Sequence, residues 1–157
     1  SIHIDFIRIL LREIIMENKF SEGLTKVFKH SKSEAKRLHS EFLSTEHFLL
    51  GIIQTDNSAK EILENLQADL TQIRRKIENM NVNTNPFSEA KDNISFTKLA
   101  DYAVKRADLE CRQYRASEIN TVHLLLGILY KMEDPTTNIL KTFFTSKINS
   151  WSFLSAR

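Results

Sequence analysis

Cys111, His47, His123 and Glu46 are the side chains in this sequence with the chemistry to act on a substrate or hold an ion. A cysteine becomes a working nucleophile when a base and an orienting group converge on it. Cys111 is the single cysteine of the chain, and no Cys/His/Asn arrangement can be assembled around it. It recurs in a helical pattern beside Leu109 and Tyr114, which reads as a small, partly buried core residue. Imidazoles can bind zinc when ligands stand three or four residues apart on a helix. His47 and His123 are 76 residues apart, and neither has a His or Cys at i+3 or i+4. His30 and His39 are nine apart and should not share a helix face. No metal and no cofactor is therefore expected. Glu46 could work as a general acid or base only beside a nucleophile or second carboxylate, and none can be named. The run Arg74-Arg75-Lys76 reads as a solvated helix face. A Gly-x-x-x-x-Gly-Lys-Ser/Thr phosphate loop is absent from the sequence. No catalytic constellation emerges, and the chain is expected not to be an enzyme.

The two histidines do share a context. Thr45-Glu46-His47-Phe48-Leu49-Leu50-Gly51-Ile52 and Thr121-Val122-His123-Leu124-Leu125-Leu126-Gly127-Ile128 align without gaps at an offset of 76 residues. The same offset pairs Glu34 with Glu110, Lys36 with Arg112 and Leu43 with Ile119. This is an internal repeat. Leu24, Val27, Phe28, Ala35 and Leu38 follow a helical period in the first copy, and Leu99, Ala103, Ala107, Cys111 and Tyr114 do so in the second. A new helix should begin at Ser44/Thr45 and at Asn120/Thr121, because their side-chain oxygens can accept a free N–H of the first turn. Glu46 would lie where the helix dipole favours a carboxylate. The histidines then read as hydrogen-bonding groups at these helix entries. Gly51 and Gly127 fall inside the helices, where glycine costs ~1 kcal/mol relative to alanine, so close approach of another helix is expected there.

A third helix follows Asp56-Asn57-Ser58 in copy one and Glu133-Asp134-Pro135 in copy two. Copy one adds a fourth, with Leu70, Ile73, Ile77 and Met80 at regular spacing. In copy two Phe144, Ile148 and Trp151 mark a fourth helix weakened by the Thr, Ser and Asn around them. The expected organisation is an N-terminal extension over residues 1–15, a first repeat over 16–80, a linker over 81–95 and a second repeat over 96–157 with an atypical C-terminal end. The linker is rich in Asn, and Phe87 is its one large apolar residue, suited to pinning it to the helices. Residues 1–15 suit a weakly amphipathic helix with Ile2, Phe6, Ile9 and Glu13 on one stripe. Met16-Glu17-Asn18-Lys19-Phe20 reads like a natural protein start, so the extension is taken as upstream of, or added to, the natural chain.

Three glycines and two prolines in 157 residues favour long helices and short connections, and so an all-α fold. With 22 basic and 20 acidic residues the net charge is +2, which gives no electrostatic ground for nucleic-acid or membrane partners. A lone cysteine fits a reducing compartment. No apolar run approaches the ~20 residues that span a bilayer.

The pattern Glu34-Ala35-Lys36-Arg37-Leu38, then Thr45-Glu46-His47-Phe48-Leu49-Leu50-Gly51, met again in the second copy, resembles the N-terminal double-repeat domain of the ClpA, ClpB and ClpC unfoldases, most of all the ClpC branch. The resemblance covers about residues 20–144. It implies two pseudo-symmetric four-helix repeats that carry no chemistry. In that family the domain sits on a hexameric ATP-driven unfoldase in the cytoplasm. It binds adaptor proteins and client polypeptides and passes clients to the ATPase and a partner peptidase in protein quality control. In some ClpC relatives the Glu of each Thr-Glu-His recognises phosphorylated arginine. Glu46 matches that residue in copy one, whereas Val122 replaces it in copy two. The candidate partner-binding residues are Glu46 and Thr45, Phe42 and Leu43 in the turn before them, one of that pair being exposed, and Thr121 and Ile119 in copy two. A stand-alone interaction module and a helical nucleic-acid-binding domain are the alternatives. The latter would need a concentrated basic face, but the charges are mixed along every helix.

Overall fold

Ser21 and Thr97 open the two halves of the molecule in the same way. Each holds an extended backbone ahead of a helix, and its hydroxyl accepts the N–H three residues on, from Leu24 and from Ala100. This satisfies one of the backbone donors that a helix start leaves unpaired. The computed structural model describes residues 2–17, 20–80 and 94–155. In chain order these form α1 (Ile2–Glu17), α2 (Glu22–Arg37), β1 (Phe42–Leu43), α3 (Thr45–Gln54), α4 (Ser58–Asn65), α5 (Leu70–Met80), β2 (Ser95–Phe96), α6 (Lys98–Gln113), α7 (Thr121–Leu129) and α8 (Pro135–Ser155). The fold is all-α, with one pair of two-residue strands and one isolated bridge as its extended pairings among the described residues.

Apolar stripes at three- and four-residue spacing decide what is inside. α2 buries Leu24, Val27 and Ala35, and α6 buries Ala100, Ala103, Ala107 and Cys111. Tyr114, at the end of the second stripe, is exposed. The helices α3 and α7 are buried over most of their length and pack on α2 and α6 respectively. The two glycines make this packing close, as their spacing predicts. A Cβ at Gly51 would stand 2.6 Å from the Val27 carbonyl oxygen, and one at Gly127 would stand 2.3 Å from that of Ala103.

The repeats grip each other through short parallel pairings. β1 pairs with β2, Leu43 lying opposite Phe96, and Phe20 bridges Ile119. Shifted by the 76-residue offset, Phe20 becomes Phe96 and Leu43 becomes Ile119, so the two pairings are one contact seen from either repeat. The hydrogen bonds repeat too. Thr97 N–H donates to the Leu43 carbonyl and Ser21 N–H to the Ile119 carbonyl, both at 2.9 Å. In each repeat the extended residues ahead of the second helix thus pair with those ahead of the other repeat's first long helix, and the repeats are related by a pseudo-twofold. Ser95, expected in the linker, belongs to β2; Phe87 and the rest of 81–93 lie outside the described residues.

Three helices end without glycine. His39, Gln67 and Arg115 hold positive φ of 53°, 60° and 53°, and each closes a Schellman motif. Ser40 N–H reaches the Ala35 carbonyl at 2.9 Å and His39 N–H that of Lys36 at 3.1 Å, with the same pair of bonds after α4 and α6.

The second repeat departs from the expected four helices. Its third and fourth are continuous in α8, whereas α4 and α5 are separated in copy one by the turn at Gln67 and by Asp69, whose carboxylate caps Gln72. Counted from the helix starts Ser58 and Pro135, which stand 77 residues apart, the residue matching Gln67 is Phe144, an aromatic that packs against the core and is poorly suited to the left-handed conformation. Without that stop the helix runs on. α1 runs through Met16 without a break at the expected start of repeat one, and its Phe6 and Ile9 are 60% and 62% exposed.

Candidate functional site

The entrances of α3 and α7 are built on one plan. In α3 the Ser44 N–H donates to His47 Nδ1 at 3.0 Å; in α7 the Asn120 N–H donates to His123 Nδ1 at 3.0 Å. Histidine here fills the place that glutamate or glutamine takes in the usual capping box. Because Nδ1 accepts, the His47 proton sits on Nε2, which lies 3.0 Å from Ser40 Oγ. His47 is 2% exposed. Its burial lowers its pKa to about 4, against a partial opposing pull from Glu34. Burial lowers that of His123 as well, with Glu110 opposing.

The unfolded chain therefore binds a proton near pH 6.5 that native His47 refuses until about pH 4. Its contribution is complete above pH 6.5 and is lost as the pH falls toward 4. Linkage puts the loss between pH 7 and pH 5 at about 2 kcal/mol. Urea denaturation at the two pH values should show it. His47→Gln keeps an acceptor for the Ser44 N–H and should flatten the dependence; an equally steep profile in the variant would exclude His47 as its source.

Of the six candidate binding residues, Phe42 is 52% exposed and Glu46 is partly exposed, while Leu43, Ile119, Thr45 and Thr121 are at most 2% exposed. Those four are held by the molecule itself. Leu43 and Ile119 form the cross-repeat pairings described above. Thr45 Oγ1 donates to Asp134 Oδ1 at 2.8 Å and lies 2.9 Å from Thr136 Oγ1. Thr121 Oγ1 accepts the Ala59 N–H at 3.2 Å. Each threonine thus ties the start of its helix to the third helix of the other repeat. The Glu46 carboxylate accepts a hydrogen bond from the Ser44 hydroxyl. Val122 occupies the equivalent position in α7 and offers no such group.

Glu34 and Glu110 belong to internal ion pairs. Glu34 accepts from Arg37 at 2.7 Å and from Gln54 at 2.9 Å, and Arg37 also reaches Glu78 at 2.7 Å, so α2, α3 and α5 are joined. Burial alone would raise the pKa of Glu34; the bonds from Arg37 and Gln54 more than offset this and lower it. Arg106 reaches Glu110 at 2.8 Å in α6. Cys111 is buried, its thiol 3.4 Å from the Ala116 carbonyl. Arg74, in the basic run, pairs with Glu78 on the surface. Among the described residues no group of three His, Cys, Asp or Glu side chains could hold a metal. No helix among them is long and apolar enough to cross a membrane.

Sequence reasoning missed an open apolar recess beside the strand pairing. It has a volume of about 290 Å³ and is lined by Phe20, Phe28, Lys32, Leu43, Phe96 and Val104. Edge-to-face contacts at 5.3, 5.4 and 5.8 Å link Phe20, Phe28, Phe48 and Phe96 in a row, and Phe96 remains 42% exposed. The equivalence of Phe20 and Phe96 by the repeat offset was the available signal.

The class of protein is thus a two-repeat all-α domain, locked across a pseudo-twofold, with its polar motif residues spent on capping and locking. The chain belongs to the Clp repeat N-terminal domain family, whose model matches residues 19–143. It is 29% identical over 127 residues to a probable ATP-dependent Clp protease ATP-binding subunit of Chlamydia pneumoniae, covering 80% of this chain and 15% of that one. It is 31% identical over 127 residues to the chloroplastic chaperone protein ClpC2 of Arabidopsis thaliana, covering 80% of this chain and 13% of that one. The chain therefore spans only about 15% of the length of such relatives. Its fold matches the Hsp104 N-terminal domain of Candida albicans, with a TM-score of 0.64 at 22% identity over 82% of this chain and 81% of that one. It also matches the N-terminal domain of the ClpD chaperone of Arabidopsis thaliana, at 0.56 and 18% identity over 83% and 95%.

Proposed function

We propose that this chain is the docking domain through which a cytoplasmic ATP-dependent Clp unfoldase captures adaptor proteins and client polypeptides in protein quality control. The observation that carries the reading is the recess at the repeat junction, an apolar floor left open to solvent with Phe96 at its mouth. Exposed aromatic surface gathered around a concavity suits a protein partner better than it suits solvent. Family membership supports the same reading. The domain performs no chemistry itself; it holds a client near the ATPase ring and raises its local concentration there, with avidity where several copies engage. The client then passes to the ATPase and a partner peptidase.

Glu46 is the residue suited to a guanidinium-bearing mark on the client. Its carboxylate is partly exposed at the first turn of α3 and oriented by Ser44, and a carboxylate can pair bidentately with a guanidinium. Val122 cannot, so one such site is expected. Calorimetry should show a phosphoarginine peptide binding more tightly than its plain-arginine counterpart. Glu46→Ala should weaken it by about tenfold or more, the scale of a lost charged hydrogen bond. Absence of binding would retire the mark-reading role and leave adaptor capture to be followed by pull-down.

A further inference from the structure

We propose that the recess takes acidic peptide segments bearing an apolar side chain, selected by a lysine stripe on α2. The inference rests on the docking reading and specifies what docks. The apolar recess continues onto α2 as a second depression of about 400 Å³, since Phe20, Phe28 and Lys32 line both. Its wall carries Lys29, Lys32 and Lys36, spaced three and four residues apart on one helix face and all exposed. No carboxylate lines either depression. Among the described residues, Lys29 and Lys32 have no ion-pair partner.

The second repeat serves as an internal comparison. The residues 76 positions on from Thr25, Lys29, Lys32 and Lys36 are Asp101, Lys105, Asp108 and Arg112. There Lys105 pairs with Asp101 at 2.7 Å and Arg112 with Asp108 at 2.8 Å, so that stripe neutralises itself. Val104 also replaces Phe28. One repeat therefore presents positive charge without an ion-pair partner at Lys29 and Lys32 over an aromatic floor, and the other presents neither. Carboxylates flanking a leucine or phenylalanine match this arrangement: the apolar side chain fills the recess while the carboxylates meet the ammonium groups. A nucleic acid matches it less well. The aromatic rings engage one another edge to face rather than standing free for base stacking, and the whole chain carries a net charge of only +2.

The test is fluorescence anisotropy at low and high salt with the full chain and short labelled peptides that share one Leu/Phe core. The core is flanked by aspartates, by serines or by lysines, and a single-stranded oligonucleotide serves as a fourth probe. The aspartate-flanked peptide should bind about tenfold tighter than the serine-flanked one at low salt, from exposed charge pairs at Lys29 and Lys32. High salt should narrow that gap. Lys29→Glu/Lys32→Glu should invert the preference toward the lysine-flanked peptide, a gain that an unfolded variant could not show. Equal binding of all three peptides with no effect of the double variant would overturn charge selection yet leave the docking reading standing. Failure of every peptide to bind would overturn both for this recess. Preferential binding of the oligonucleotide would overturn the peptide assignment.

Discussion

Gly127→Ala should lower the stability of the domain by about 2–3 kcal/mol, opposite in sign to what helix propensity alone predicts. Alanine is favoured over glycine in a helix interior by ~1 kcal/mol. The added methyl, however, would stand 2.3 Å from the Ala103 carbonyl oxygen and 3.2 Å from the Ala107 nitrogen. Both obstacles are backbone of α6, so no side chain can rotate aside, and relief requires α7 to move off α6 along a buried seam. Overpacking of this kind costs up to about 3 kcal/mol and sometimes more, which exceeds the propensity gain. For a chain of this size the melting temperature should fall by roughly 5–10 °C, read by circular dichroism or calorimetry. Gly51→Ala should act in the same direction, because its Cβ would meet Val27 backbone at 2.6 Å and the Ser31 hydroxyl at 2.5 Å. Gly23→Ala is the control. The nearest atom to its Cβ is 3.9 Å away, in ordinary contact, and its effect should be neutral or slightly stabilising. A neutral Gly127→Ala would mean that α6 and α7 are not pressed together as described.

Asp134→Ala should cost a comparable amount, about 3 kcal/mol, by a different mechanism. Asp134 is 1% exposed. Its Oδ1 accepts both the Thr136 N–H at 2.8 Å, which caps α8, and the Thr45 hydroxyl at 2.8 Å, which ties α8 to the start of α3. Loss of a cap costs ~1 kcal/mol, and a buried donor deprived of its acceptor costs about 1–3 kcal/mol. Asp134→Asn keeps an oxygen acceptor and should be milder. A double-mutant cycle with Thr45→Val isolates the cross-repeat bond: the double variant should be less destabilised than the sum of the singles, since the bond between Thr45 and Asp134 can be lost only once. Strict additivity would mean that Thr45 and Asp134 do not communicate.

Much of the architecture was legible in the residues. The repeat, the helical periods, the helix starts at Ser44 and Asn120, and the tight approach at Gly51 and Gly127 all follow from local spacing or from the match between copies; the Asn120 side chain caps its helix as expected, whereas the Ser44 hydroxyl turns to Glu46. The histidines read as helix-entry groups for want of ligand spacing, and the bonds at Nδ1 agree. The exposed partner in the Phe42–Leu43 pair was expected too; which of them it would be depends on the pairing of β1 with β2, made by residues more than fifty positions apart.

The sequence by itself therefore determined which segments are helices, where most of them begin, and that two equivalent halves exist. Helix formation and capping act between residues at most a few positions apart, and their signals survive in a linear reading. Tertiary structure alone decided that Thr45, Thr121, Leu43 and Ile119 lock the repeats together, and that the Phe20–Phe96 recess opens beside their pairing. It decided, too, that the lysine stripe borders that recess. Those facts depend on partners tens of residues away. The ends of α2, α4 and α6 were hidden for another reason: His39, Gln67 and Arg115 hold a left-handed conformation whose usual compositional mark is glycine.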